Sequence, residues 1–212
     1  MMSSRVKKII TLSLVTIVLL GIVALIVSPF LFASVAYPLC YRDEIKAATT
    51  KYHRNPNFIA ALIYTESTCK PNARSGAGAT GIMQIMPSTG ASIAKRLGYS
   101  SFDLNDPKTN IEFGTYYIDD AINRNGGDVK LGLIAYNGGQ GAVSAYQLGY
   151  PISGTVAYAN KIMSLQGIYQ KTYGNWWEEG GGSVNGYDIQ PNETEQPVGV
   201  ISIWDFWRLL IK

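Results

Sequence analysis

The sequence predicts a mostly α-helical domain behind an N-terminal transmembrane helix, with a flexible acidic tail after the domain. Residues 9–41 contain no charged side chain, which is typical of a membrane-spanning segment. Helix-start signals recur through residues 41–173, whereas alternating strand patterns are few. Residues 174–199 are rich in Gly, Pro and Asn and carry five acidic and no basic residues, which is typical of a flexible tail.

The N-terminal segment, residues 1–40, is expected to be a cytoplasmic tip and a single-pass anchor in the cell membrane. A spanning helix needs about 20 apolar residues, and the uncharged run exceeds that length. Arg5, Lys7 and Lys8 precede the run, so the positive-inside rule places the following domain on the extracytoplasmic side. The alternative is secretion after signal cleavage at Ser34–Ala36, although the apolar run is longer than the usual h-region of about 7–15 residues.

Seven helices are predicted in the domain, residues 41–173. Asn55 and Asp106 are N-cap residues followed by a proline at the first helical position, and Asp128 is a third N-cap. Gly98 is a typical residue just past a helix C-terminus, and a pair of glycines after Asn125 stops another helix. The predicted helices cover residues 43–52, 56–67, 87–97, 107–124, 128–136, a segment after residue 141, and 157–169.

Glu66 is the first candidate for chemistry, because it ends an apolar helical run. Ile59, Leu62 and Ile63 lie 7, 4 and 3 residues before it and share its helix face, so the carboxyl is expected to face the core. Burial and the negative end of the helix dipole both disfavour the charged form and should raise its pKa. A carboxyl that is protonated near neutral pH can act as a general acid. The alternative is an exposed residue that pairs with Lys70.

Three further motifs contain residues suited to ligand contact. Small residues fill "SGAGATG" at 75–81, where backbone can approach a ligand closely. Gln84 is the lone polar side chain in "GIMQIMP", and "AYNGG" at 135–139 places Tyr136 and Asn137 at a predicted helix end. The alternatives are a surface loop with Gln84 facing water, and an ordinary helix C-cap.

Taken in order, the motifs resemble the family 1 lytic transglycosylases, which have a goose-type-lysozyme-like catalytic domain. The resemblance covers about residues 41–165 and rests on "ES…NARSGAGATGIMQIMPST", "DPKTNIEFGTYYI", "AYNGG" and "TVAYANKI". It implies that Glu66 is the catalytic acid/base and that Tyr158 orients its carboxyl. It further implies that the glycan groove is lined by Ser75, Met83, Gln84, Tyr136 and Asn137. The family often has a glutamate four positions before that tyrosine, where this chain has Gly154.

The resemblance implies cleavage of the β-1,4 bond between N-acetylmuramic acid and N-acetylglucosamine in peptidoglycan, with 1,6-anhydromuramic ends as products. A single carboxyl suffices for this reaction, and no metal or cofactor is expected. One alternative is a hydrolytic muramidase, which needs a second carboxylate from Asp103, Asp106 or Glu112. Another is a non-catalytic glycan-binding scaffold in an envelope-spanning machine.

The two cysteines, Cys40 and Cys69, are candidates for a disulfide, because export permits one. Two free thiols are the alternative. With two cysteines and one histidine, His53, a metal site is disfavoured, and His53 is expected to be structural. The domain carries 13 basic and 9 acidic residues, which suits an anionic wall polymer and does not call for nucleic acid.

The C-terminal segment, residues 200–212, becomes apolar again. As a helix it would place Val200, Ile203, Trp204, Trp207 and Ile211 on one face. Even with Val198 and Gly199 the stretch has only 15 residues, which are too few to span a bilayer, so we expect an interfacial helix on the outer leaflet. The alternative is docking on the domain or on a partner, such as cell-wall or secretion machinery.

Overall fold

The computed structural model describes residues 3–177. It divides into two units, one ending at Pro38 and one beginning at Leu39. Helix α1 spans Ser4–Ala36, 33 residues or roughly 50 Å of helix. Its Ser3 hydroxyl accepts from the N–H of Val6, and apolar side chains along it are exposed. The stretch Ser4–Leu25 is long and apolar enough to cross a membrane, with a mean hydropathy of 2.5.

The second unit is built from six helices and a short 3₁₀ turn. The helices are α2 (Arg42–Tyr52), α3 (Pro56–Ser67), α4 (Pro87–Leu97), α5 (Pro107–Arg124), α6 (Val129–Gln147) and α7 (Ser153–Tyr173), and the 3₁₀ turn is Gly174–Trp177. Residues 3–177 contain no β-strand, only isolated bridges that join Thr80 to Arg74 and to Ile85. The fold class predicted from the sequence is therefore confirmed for the described chain.

Local capping explains where three of the six helices of the second unit begin. The side chains of Asn55, Asp106 and Asp128 accept hydrogen bonds from backbone N–H groups two or three residues ahead, at 2.8, 2.9 and 2.9 Å. Each bond satisfies one of the donors that a helix start leaves unpaired. Gly98 ends α4 in the left-handed region, with φ +77°. These four boundaries lie where the sequence predicts them.

Helix α6 is interrupted where the sequence predicts a break, and helix α7 is longer than predicted. Gly139 leaves helical geometry, with φ +73° and ψ 177°, so α6 consists of two helical stretches that meet at a kink, in agreement with the two predicted segments. Helix α7 begins at Ser153 and ends at Tyr173, longer than the predicted 157–169. Tyr169 and Tyr173 are 1% and 4% exposed, so burial extends the last turn.

The core of the unit surrounds α3. Every residue from 56 to 63 is buried, which fits a helix that is enclosed on all sides. Helix α7 packs along one side of α3, and α5 packs against α2 and α6. Ile59, Leu62 and Ile162 are fully buried at these contacts. The helix that ends at Glu66 is therefore the most enclosed of the unit.

The folded unit extends past the predicted boundary at Tyr173. Trp177 is 3% exposed, and its indole N–H donates to Asn57 Oδ1 at 2.8 Å. Asn57 in turn donates to Gln170 Oε1 at 2.6 Å. These contacts place Trp177 in the core of the unit. The remainder of the predicted tail, residues 178–199, and the predicted interfacial helix, residues 200–212, lie outside the described residues.

Cys40 and Cys69 are joined by a disulfide, with their Cα atoms 6.1 Å apart. Cys40 precedes α2, and Cys69 follows the end of α3. Thr68 and Cys69 both have positive φ, 50° and 67°, so the chain turns sharply after the helix. The bond therefore ties the start of the unit to the end of the helix that carries Glu66.

Candidate active site

Glu66 lies in the last turn of α3, and its carboxyl is mostly buried. The Tyr158 hydroxyl, from α7, donates a hydrogen bond to Glu66 Oε1. Tyr158 reaches this position because α7 packs along α3 through Ala159 and Ile162, which are fully buried. Tyr158, and not the alternative partner Lys70, is the hydrogen-bonding partner of Glu66 in the described chain.

The surroundings of Glu66 favour its protonated form. Burial raises the pKa of its carboxyl from 4.5 to about 7, against the hydrogen bond from Tyr158 and the positive charge of Lys161, which both lower it. Near neutral pH the protonated and ionised forms of the carboxyl therefore have similar free energies, so it can both hold and release a proton. These are the properties that general acid/base catalysis requires.

Tyr136 is a second phenol beside Glu66. Its hydroxyl donates to the Met83 carbonyl at 2.8 Å, and its ring lies 5.2 Å from that of Tyr117. Burial raises the pKa of Tyr136 well above its ordinary value, and the charge of Glu66 adds to the effect. The pKa of Tyr158 is raised for the same two reasons in the same order. Glu66 is thus flanked by phenols that stay neutral at any physiological pH.

Gln84 and Ser75 build the loop between α3 and α4. Gln84 has φ +51°, and its Nε2 donates to the carbonyls of Ala73 at 3.1 Å and Gly81 at 2.8 Å. Both bonds hold the amide nitrogen of Gln84 in the loop, and a role for Gln84 in the glycan groove stays a prediction. The Ser75 hydroxyl is exposed, and it accepts from the Ala79 N–H at 3.0 Å, which closes a tight turn.

Met83 lies behind the loop that carries Gln84, and its predicted place in the groove stays a prediction. Its side chain is 0% exposed. It packs against Gly114, where an added Cβ would lie 2.4 Å from the Met83 sulfur. Its backbone carbonyl holds the Tyr136 hydroxyl, so Met83 supports the site from behind.

Asn110 is a residue of the site that sequence reasoning missed. It is 0% exposed on α5, and its Oδ1 accepts from the Met83 N–H at 2.8 Å. Its Nδ2 donates to the carbonyls of Thr80 at 2.9 Å and Leu104 at 2.8 Å. Gly81 passes so close that a Cβ there would lie 2.1 Å from Asn110 Nδ2. A single amide on the apolar face of a helix is the sequence signal that could have identified it.

The remaining candidates fall into two groups. Asn137 is exposed two residues before the break at Gly139, where its amide is accessible to a ligand.

The acidic residues considered for a second catalytic carboxylate are engaged elsewhere. Asp106 caps α5, Asp103 accepts from the Asn105 N–H at 2.8 Å, and Glu112 accepts from Lys51 at 2.6 Å and from Tyr99 at 2.7 Å.

Comparison with known proteins supplies the family context. Residues 43–152 match the family described as Transglycosylase SLT domain. The soluble lytic murein transglycosylase of Escherichia coli (strain K12) is 31% identical over 156 residues, which is 66% of this chain and 24% of that protein. The membrane-bound lytic murein transglycosylase E of Buchnera aphidicola (subsp. Acyrthosiphon pisum) is 40% identical over 83 residues, 37% of this chain and 38% of that one.

A solved structure shows the same fold. The crystal structure of the 70 kDa soluble lytic transglycosylase from Escherichia coli superposes with a TM-score of 0.63 and 27% identity, over 67% of this chain and 26% of that one. The chain thus spans about a quarter of the length of the Escherichia coli relatives that it matches.

Proposed function

Because the chain belongs to the Transglycosylase SLT domain family, we propose that it is a membrane-anchored lytic transglycosylase of peptidoglycan in which Glu66 is the single acid/base. The observation that carries the proposal is the pairing of Glu66 with Tyr158 in a mostly buried site. That environment gives the carboxyl a pKa of about 7, primarily through burial. A carboxyl with this pKa can serve in turn as proton donor and proton acceptor.

In the first step, protonated Glu66 transfers its proton to the glycosidic oxygen between N-acetylmuramic acid and N-acetylglucosamine. The C1–O bond breaks, and the electron pair leaves with the N-acetylglucosamine hydroxyl. The carbonyl oxygen of the neighbouring acetamido group bonds to C1 and forms an oxazolinium. Because Tyr158 donates to Oε1, the transferable proton lies on Oε2.

In the second step, the Glu66 carboxylate accepts the proton of the muramic C6 hydroxyl. The C6 oxygen attacks C1, the oxazolinium reopens, and a 1,6-anhydromuramic end forms. No water is consumed, and Glu66 is protonated again. Tyr158 supports this step, because its hydrogen bond stabilises the carboxylate form that burial disfavours.

A hydrolytic muramidase would need a second carboxylate to activate water. The three candidates make structural contacts instead. Burial alone would raise the pKa of Glu112, but the hydrogen bonds from Lys51 and Tyr99 outweigh it and lower that pKa. This engagement favours the non-hydrolytic route over the muramidase alternative.

Product analysis tests the proposal. Purified full-length protein in mild detergent is incubated with peptidoglycan, and the soluble products are identified by mass spectrometry. We expect 1,6-anhydromuramic ends from the wild type and none from Glu66→Gln. Reducing muramic ends would indicate a muramidase, and intact glycan would support the scaffold alternative.

Membrane anchoring is part of the same proposal. It is supported by the apolar stretch Ser4–Leu25 and by the basic residues at its start. We propose a single pass with the second unit on the extracytoplasmic side, where the Cys40–Cys69 bond would be stable. Intact mass measurement of protein extracted from membranes tests it, because cleavage after Ala36 would remove the segment.

A further inference from the structure

Left-handed backbone is concentrated around the Cys40–Cys69 bond. Thr68 and Cys69 have φ of 50° and 67°, and Tyr41, which follows Cys40, has φ 52°. These are three of the five non-glycine residues with positive φ in the described chain. A Cβ atom disfavours this region, most strongly in a β-branched residue such as Thr68. Such a conformation persists only where the surrounding structure imposes it, and it is found preferentially at functional sites.

The Cys40 end of the bond lies on a segment that is fixed to the end of α7. The Leu39 backbone N–H donates a hydrogen bond to the hydroxyl of Tyr173, whose side chain is buried. The Arg42 guanidinium donates to the carbonyl of Trp176, in the 3₁₀ turn after α7. The bond therefore connects the turn after α3 to a fixed point 29 positions earlier in the chain.

The left-handed turn directly follows the helical turn that carries Glu66. Thr68 is the second residue after Glu66, and its N–H still donates to the Tyr64 carbonyl at 2.9 Å. The Lys70 N–H donates to the Ser67 carbonyl at 3.2 Å and closes the turn. Because helix ends fray, the geometry of this last helical turn depends on what holds the residues after it. Release of the bond would let Thr68 leave the left-handed region, and the last turn of α3 would then loosen.

Glu66 can be displaced only slightly before its contacts are lost. Its Oε1 accepts a hydrogen bond from the Tyr158 hydroxyl, and the donor–acceptor distances of such bonds vary by only about 0.5 Å. A catalytic group that is misplaced by about 1 Å can lose about 100-fold in rate. A small movement of the last turn of α3 would therefore affect cleavage before it affects the fold.

We propose that the Cys40–Cys69 bond and the left-handed turn at Thr68 position the Glu66 carboxyl for catalysis. The assignment rests on the proposed function, because it takes Glu66 as the acid/base. With the bond intact, the last turn of α3 stays packed and the carboxyl stays buried beside Tyr158. Without the bond the unit remains folded, but the last turn loosens and exposes the carboxyl to water. Thr68 and the two cysteines act through Glu66, so they are positioning residues.

Exposure of the carboxyl would change the pH dependence in a defined direction. The groups of the described chain that interact with the charge of Glu66 are Tyr158 and Lys161 of α7 and Tyr136 of α6. Burial is the largest influence, and it raises the Glu66 pKa from 4.5 to about 7. A loosened turn would reduce this burial, so the pKa would fall towards 4.5 and the alkaline fall of kcat/KM would move to lower pH.

Cleavage by a chain without the bond tests the proposal. Full-length Cys40→Ala/Cys69→Ala protein in mild detergent is compared with the wild type on soluble glycan strands between about pH 5 and pH 9. We expect kcat at neutral pH to fall by about tenfold or more with little change in KM, and the alkaline fall to shift to lower pH. The tryptophan fluorescence spectrum should remain that of the wild type. Wild type reduced by a phosphine should behave like the variant.

A substitution at the strained residue supplies the rescue. Asn tolerates the left-handed region better than Thr, so Thr68→Asn in the double variant should restore part of the lost kcat and move the pH profile back. The matched control is His53→Asn, because His53 ends α2 with φ 52° and ψ 45°, close to the 50° and 45° of Thr68. It should restore neither.

Three results would overturn the assignment. The first is a double variant with the kcat and the pH profile of the wild type, and the second is equal rescue by His53→Asn. The third is loss of the native fluorescence spectrum in both the double variant and the reduced wild type, because the bond would then hold the whole unit together.

Hydrogen exchange separates this assignment from the proposed function. The backbone amides of residues 64–68 should exchange faster in the double variant, while those of residues 59–63 stay protected. If this occurs and the wild type releases no 1,6-anhydromuramic ends, the catalytic proposal fails and the effect of the bond on the last turn of α3 stands. If the wild type releases these ends and residues 64–68 exchange alike in both proteins, only the positioning assignment fails.

Discussion

Replacing Glu66 by Gln should stabilise the folded protein at neutral and alkaline pH while it abolishes cleavage. The substitution removes a buried ionisable group and keeps an oxygen that accepts the Tyr158 hydrogen bond. In the folded chain the pKa of Glu66 is raised by burial from its ordinary 4.5 to about 7. At 1.36 kcal/mol for each pH unit between these values, ionisation of the buried group costs about 3 kcal/mol.

The direction in which pH changes the free energy of unfolding depends on whether the folded or the unfolded chain binds the proton more tightly. Below pH 4.5 the carboxyl is protonated in both the folded and the unfolded chain, so it adds no pH dependence. Between 4.5 and about 7 the unfolded chain has lost the proton that the folded chain keeps, so the free energy of unfolding falls as pH rises. Above pH 7 the loss is complete and constant. The glutamine in Glu66→Gln does not titrate, so the free energy of unfolding of this variant does not fall for this reason.

Urea unfolding of full-length protein in mild detergent, followed by tryptophan fluorescence from pH 4 to pH 9, measures the effect. We expect the difference in unfolding free energy between Glu66→Gln and wild type to grow by about 3 kcal/mol between pH 4.5 and pH 7. Glu44→Gln, in the first turn of α2, is the control and should run parallel to wild type. Parallel curves for Glu66→Gln at every pH would refute the buried, perturbed carboxyl.

Three further predictions address the rest of the site. For the wild type, kcat/KM should fall as pH rises through about 7, where Glu66 loses its proton. Tyr158→Phe should lower the rate and shift this alkaline fall to higher pH, because it removes a hydrogen bond that lowers the Glu66 pKa. An unshifted pH profile would contradict this role of Tyr158. Asn110→Ala should lower the unfolding free energy by about 3 kcal/mol, since it leaves the Met83 N–H and the Leu104 carbonyl unpaired, while the Thr80 carbonyl keeps its bond from the Ile85 N–H. It should also raise hydrogen exchange in residues 80–84, and wild-type exchange there would contradict the prediction. Cys40→Ser should reduce stability by roughly 3–4 kcal/mol, because the bond closes a loop of 29 residues; non-reducing peptide mapping that finds two free thiols in the wild type would refute the bond itself.

The helices were predictable where their boundaries depend on neighbouring residues. Three helix starts depend on an N-cap side chain that bonds a backbone N–H within three residues, so the sequence alone predicts them. The N-cap residues are Asn55, Asp106 and Asp128. The end of α7 depends instead on the burial of Tyr173 against distant parts of the chain, and the inclusion of Trp177 depends on Asn57. Contacts over more than 100 positions leave no local pattern, so the burial of Trp177 could not be predicted from its neighbouring residues.

The site was predictable to a similar degree. The face of Glu66 follows from helical spacing, but its partner Tyr158 lies 92 positions away and came only from the family resemblance. Gln84 is noticeable in the sequence as a lone amide in an apolar run, but the bonds from its Nε2 to the carbonyls of Ala73 and Gly81 form only in the folded loop. Asn110 was missed for the same reason, since its three partners are brought together only by the fold.

The Arg42 guanidinium, at the start of α2, donates to the carbonyl of Trp176 in the 3₁₀ turn after α7. The Trp177 indole in the same turn donates to Asn57 at the start of α3. These two bonds join the last described turn to the first two helices of the unit. Removing residues 174–177 would break both bonds and uncover the core that Trp177 covers, since this side chain is only 3% exposed. A chain shortened at Tyr173 should therefore be less stable than one that keeps Trp177.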